Sequence, residues 1–94
     1  MNNVELSGNL AKDPTTGQTA DKKSHYARAT LACNREGSNG GCDFISITAW
    51  NEQATILAGM KKGSRCHIKG SIRVDSSADK TRYYTKVVAR EVIT

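Results

Sequence analysis

An all-β fold, a small closed barrel, is what this 94-residue sequence predicts. Three observations lead there. Apolar residues alternate with polar ones in several short runs, which is the period of half-buried strands. Turn-forming residues separate those runs. Only the stretch after Trp50 has helical spacing, and it is short.

The first run puts Val4, Leu6, Gly8 and Leu10 on one face and Glu5, Ser7 and Asn9 on the other, and it stops at Asp13-Pro14. A polar loop is expected from there through Gly17 to Lys23. The second run turns Ala27, Ala29, Leu31 and Cys33 inward and Tyr26, Arg28, Thr30 and Ala32 outward. Residues 34–41 are rich in Asn and Gly, which tolerate the backbone of a tight turn. The third run, Cys42 to Trp50, has Ile45, Ile47 and Ala49 as its core set, with Phe44, Ser46, Thr48 and Trp50 opposite. Asn51 then suits an N-cap and Glu52 the first helical turn. Ala54, Leu57 and Ala58 make its apolar face, and Lys61-Lys62-Gly63 is the expected end. In the fourth run Cys66, Ile68, Gly70, Ile72 and Val74 share a face, opposite Arg65, His67, Lys69, Ser71 and Arg73. A polar hairpin tip, 75–81, leads to the last run, Arg82 to Ile93. Three strands, a helix and two strands make a five-stranded OB-fold barrel with one short helix between strands 3 and 4. Residues 1–94 are expected to form one domain.

That length excludes large α/β enzymes with a cofactor domain. No apolar run reaches the roughly 18 residues of a membrane span, and the N-terminus has no signal-peptide pattern. Three cysteines are an odd number, which rules out a fully paired disulfide framework and suits a reducing, cytoplasmic setting. Cys33, Cys42, Cys66 and His67 are zinc-type ligands without a C-x-x-C pair. Cys66 and His67 are adjacent on a strand and point to opposite faces, so no metal and no cofactor is expected. His25 and His67 have no nucleophile or carboxylate at a telling spacing, and no phosphate-binding glycine loop occurs, so the chain is read as non-enzymatic.

The net charge is +5, and residues 54–94 hold nine basic groups against three acidic ones. A basic half on a small protein points to an anionic partner, nucleic acid first. Phe44 and Trp50 leave the outward face of the third run, and Arg65, Lys69 and Arg73 the outward face of the fourth. Cations can follow phosphates while unpaired bases stack on rings, which suits a single strand. A duplex has no use for such rings, and no basic helix fits a major groove. The competing reading is a protein interface sealed by Phe44 and Trp50, as in an OB-fold interaction module of a primosome-type assembly.

Taken together, several stretches resemble the OB domain of bacterial single-stranded DNA-binding proteins. They are Met1-Asn2-Asn3-Val4, Gly8-Asn9-Leu10, Asp13-Pro14, Leu31-Ala32-Cys33-Asn34-Arg35, Asp43-Phe44-Ile45 through Ala49-Trp50, Lys62-Gly63-Ser64, Lys69-Gly70, and Arg82-Tyr83-Tyr84-Thr85-Lys86-Val87-Val88-Ala89. Their order and spacing carry the resemblance. It implies a homo-oligomer, usually a tetramer with a dimer as the alternative, that coats single-stranded DNA in replication, repair and recombination. It also implies a cytoplasmic, nucleoid-associated protein with stacking rings at Phe44 and Trp50 and binding hairpins at 34–41 and 75–81. The candidate DNA-binding set is Phe44, Trp50, Arg35, Arg65, Lys69, Arg73, Lys80, Arg82 and Tyr84. Two departures stand out: both hairpins lack aromatics, and the chain stops at Thr94 without the family's usual acidic tail. Protein partners that grip such a tail are not expected.

Overall fold

The computed structural model describes residues 1–34 and 40–94. Six strands and one helix follow in the order β1 (Val4–Leu10), β2 (Thr15–Gln18), β3 (His25–Asn34), β4 (Cys42–Trp50), α1 (Glu52–Ala58), β5 (Arg65–Ser76) and β6 (Tyr83–Ile93). The sheet order is β1-β5-β6-β4-β3-β2, and an added β1–β3 pairing at Asn9↔Ala32 and Leu10↔Leu31 closes five strands into a barrel. β4 meets β6 in parallel, at Ile47↔Val87 and Thr48↔Val88.

Alternation predicts the inside of this barrel well. Leu10, Leu31, Ile47, Leu57 and Ile68 are the largest fully buried side chains, joined by Ala27, Ala29, Ala49, Cys66, Val87, Ala89 and Val92. Truncating such a Leu or Ile to Ala costs about 2–5 kcal/mol.

Five sequence expectations need correction. The polar loop after Pro14 contains β2, which pairs with β3 from Thr15↔Arg28 to Gln18↔His25. Its residues, Thr-Thr-Gly-Gln, carry no apolar alternation, so backbone pairing alone defines the strand. The helix ends at Ala58 with Gly59 as its C-cap, short of Gly63, and Met60 is buried where Ala58 is exposed. Asn51 is the N-cap residue, at φ 53°, and its carbonyl accepts from the Thr55 N–H at 3.0 Å, but its side chain makes no cap bond: its Oδ1 accepts from the His25 backbone N–H instead, at 3.3 Å. The fourth run slips register between Lys69 and Gly70, a bulge that leaves Arg90 unpaired opposite it. Beyond it Ile72 and Val74 keep core parity but are exposed, because β5 and β6 run on together past the barrel as an arm. β5 reaches Ser76, so the polar tip begins two residues later than expected.

The N-terminus is tied to this arm. Asn2 Nδ2 donates to the Ile72 carbonyl at 2.7 Å, and the Ile72 N–H donates to Asn2 Oδ1 at 2.9 Å. One side chain thus extends the β1–β5 ladder where the backbone no longer does.

Candidate nucleic-acid interface

Pairing register decides which side chains share a surface, because directly opposed residues leave the same face of a sheet. On β4, Phe44 lies opposite Ala32, Ser46 opposite Thr30, Thr48 opposite Arg28 and Trp50 opposite Tyr26. All face outward. Phe44 is 68% exposed, with only a methyl group across from it. Trp50 is 41% exposed, and its ring meets the Tyr26 ring in an edge contact, 5.5 Å between centroids and 60° between planes. The Arg28 guanidinium sits over the same Tyr26 ring, its Cζ 4.8 Å from the centroid. Thr48 is outward yet buried, held between Arg28 on β3 and Val88 on β6.

β6 continues this face. Arg73 pairs with Lys86 and Asp75 with Tyr84, and Lys86 Nζ bridges to Asp75 at 3.0 Å. A groove of about 310 Å³ runs along the middle of the face, lined by Lys12, Arg28, Thr30, Ser46, Thr48 and Lys86 among others. It offers hydroxyl donors and cations to a ligand, and Tyr84 contributes an aromatic ring to its lining.

The other predicted residues divide into two groups. Arg73 and Tyr84 share the arm with Tyr83, whose ring is 71% exposed. Lys80 and Arg82 stand at the arm's tip. Arg65 and Lys69, in contrast, pair with Asn9 and Glu5 on β1, and Lys69 lies 4.0 Å from the Glu5 carboxylate that His67 also engages. β4 and β5 are not neighbours: β6 stands between them, about 10 Å from one to the other. Contrary to the expectation from sequence, none of the β5 cations therefore lies directly beside Phe44 and Trp50: Arg73 shares their outward face only across Lys86 on β6, and Arg65 and Lys69 stand opposite β1. Arg35 lies outside the described residues. Tyr26, Arg28 and Lys86 were absent from the predicted set. An aromatic and a cation two residues apart on one outward strand face was their signal, but nothing local tells which strand they border.

Two local devices shape the chemistry. At the arm's tip Asp79 accepts from the Thr81 N–H at 3.1 Å and from the Thr81 hydroxyl at 2.8 Å, and also from Ser77. The Ser77 and Thr81 bonds hold its carboxyl at about 2. Inside the barrel, burial pushes the Cys66 and Cys33 thiols up, with Asp43 and Cys42 adding to the rise at Cys33. Cys33 faces inward, whereas Cys42 faces outward and donates to Asn34 Oδ1 at 3.3 Å. Among the described residues no group of three His, Cys, Asp or Glu could hold a metal ion. Nor is any helix there long and apolar enough to cross a membrane.

Comparison with known proteins adds a second line of argument. The sequence model of the Single-strand binding protein family matches residues 1–94. A single-stranded DNA-binding protein of Clostridium perfringens is 39% identical over 94 residues, covering 97% of this chain and 63% of that protein. Single-stranded DNA-binding protein 1 of Clostridium acetobutylicum is 33% identical, covering 98% of this chain and 91% of its own length. Among solved structures, a deletion mutant of the single-stranded DNA binding protein from Thermus aquaticus superposes with a TM-score of 0.82 at 29% identity, over 98% of this chain and 40% of that one. The chain thus spans under two thirds of the first relative and of the Thermus protein, and the shared part is the OB-fold barrel.

Proposed function

Because the chain belongs to the single-strand binding protein family, we propose that it binds single-stranded DNA without catalysis and without sequence preference. The observation that carries this reading is the pair of exposed rings, Phe44 and Trp50, on one outward strand face beside a cation-lined groove. Bases stack on rings whatever their identity, while cations follow the phosphates. Arg73, Tyr84, Lys80 and Arg82 continue the track along the arm. Arg65 and Lys69 join it if the strand continues round the barrel past β6. Replication, repair and recombination are the processes such a coat serves, in a cytoplasmic, nucleoid-associated protein.

The chain acts as a homo-oligomer in this reading, a tetramer first. Among the described residues, the edge of β1 away from β5 has no ladder partner from Val4 to Ser7, and an unpaired edge is a template for another strand.

Titration of Trp50 fluorescence with oligo(dT) at several salt concentrations tests the proposal, because Trp50 is the only tryptophan. Quenching is expected, with log K falling against log salt at a slope of about −2 to −4 if three to five phosphates are neutralised per chain. An unchanged signal with no salt dependence would favour the protein-interaction reading of the same rings.

A further inference from the structure

We infer that β3 carries a second contact for the strand, in which Arg28, seated on the Tyr26 ring, takes a backbone phosphate beside the base stacked on Trp50. This rests on the single-strand reading above and adds residues to it. Three observations combine. Tyr26 is fixed on three sides: it pairs with Gly17 on β2, touches Trp50 on β4 and lies beneath Arg28. A Cβ at Gly17 would collide with the Tyr26 hydroxyl and come within 3.0 Å of its ring Cε2, so the missing side chain is the space in which the ring lies. Arg28 is thereby held in one orientation, and among the described residues no carboxylate pairs with it. A guanidinium stacked on a ring keeps its in-plane N–H donors free, which is the geometry for a phosphate.

The surroundings suit that ligand. Arg28 opens onto the groove shared with Thr30, Ser46, Thr48 and Lys86. Asp13 also lines the groove, and its Oδ1 is engaged by the Lys62 backbone N–H at 2.7 Å. A strand whose base stacks on Trp50 has its next phosphate within reach of Arg28, which lies across from Thr48, two residues along β4 from Trp50. Tyr26 is a positioning residue in this scheme. It orients Trp50 and Arg28, and its ring does not replace either.

The test is oligo(dT) affinity across salt for the unmodified chain, Arg28→Gln, Arg28→Lys, Tyr26→Phe, Tyr26→Leu and the double variant Arg28→Gln/Tyr26→Leu, each checked for folding by circular dichroism. Arg28→Gln should make the salt slope shallower by about 0.7, which is about fivefold in affinity between 1 M and 0.1 M salt for one lost phosphate contact. Arg28→Lys should keep the slope. Tyr26→Phe should behave as the unmodified chain, because the ring is kept. Tyr26→Leu should weaken binding, and by less when Arg28 is already Gln, because only the share that runs through Trp50 then remains. An unmodified chain that binds while Arg28→Gln leaves the slope unchanged overturns the inference and spares the reading beneath it. Failure of the unmodified chain to bind overturns both.

Discussion

Replacing Trp50 by alanine should lower both affinity and stability, whereas Phe44→Ala should lower affinity alone. A base stacked on a ring is worth about 1–3 kcal/mol by alanine substitution, or roughly 5- to 150-fold in Kd. Both rings are eligible, and the smaller one should sit toward the lower end. The two differ in what lies under them. Phe44 faces Ala32 and is 68% exposed, so its removal leaves no cavity and strips no neighbour. Trp50 leans on Tyr26 in an edge contact. Such a ring pair contributes about 0.5–1.5 kcal/mol beyond area burial. For a domain of this size 1 kcal/mol moves Tm by about 4–8 °C, so Trp50→Ala should lower Tm by roughly 2–12 °C. Six residues separate the rings along β4, an extent of roughly 20 Å. They cannot clasp one base, and their losses should add. Fluorescence anisotropy with labelled oligo(dT), run beside thermal melts of the same samples, reads both quantities. A Phe44→Ala protein that melts early at unchanged affinity would show that the ring is structural and refute the reasoning.

Three further outcomes follow from local geometry. Gly59→Ala should raise stability by about 0.4–1 kcal/mol, because φ is −78° and the nearest atom to an added Cβ is 3.5 Å away; Gly70→Ala should destabilise severely, because its Cβ would strike the Val88 carbonyl at the bulge, and denaturant melts of both compare them. Asp79 is depressed to about 2 from an ordinary 3.8, so its share of the tip's stability is fully present above 3.8 and disappears as pH falls through about 2; an NMR titration of the Thr81 amide with its midpoint near 3.8 would contradict this. Cys66, raised by burial, should resist iodoacetamide at neutral pH in the folded protein and react once unfolded, which peptide mass analysis can follow.

The inside of the barrel was legible because a period of two is a local property. Ala27, Ala29 and Leu31, or Ile47 and Ala49, declare their face within a few residues. β2 was not legible, since Thr15–Gln18 gains its strand from backbone bonds to β3 and leaves no apolar trace. The site was half legible. Parity placed Phe44 and Trp50 on one face, but the neighbours across strands depend on which strands pair. The parallel join of β4 to β6 is a long-range choice, and it separated Arg65 and Lys69 from the rings while bringing in Lys86. Tyr26 and Arg28 became part of the site for the same reason: the sequence shows them outward, and only the register with β4 shows them beside Trp50.

The position of β6 also sets when the molecule can fold. Strands emerge from synthesis in order, yet β6, the last of them, lies between β4 and β5. Until it is made, both neighbours carry unpaired interior edges and the core lacks Val87, Ala89 and Val92. The hairpin of β3 and β4 can form early, but the Asn2–Ile72 tie spans 70 residues, and closing such distances is what slows β-rich chains. A nascent chain ending at Arg82 should therefore be open to protease along its length. Vectorial synthesis gives this barrel no head start: its last strand is also its keystone.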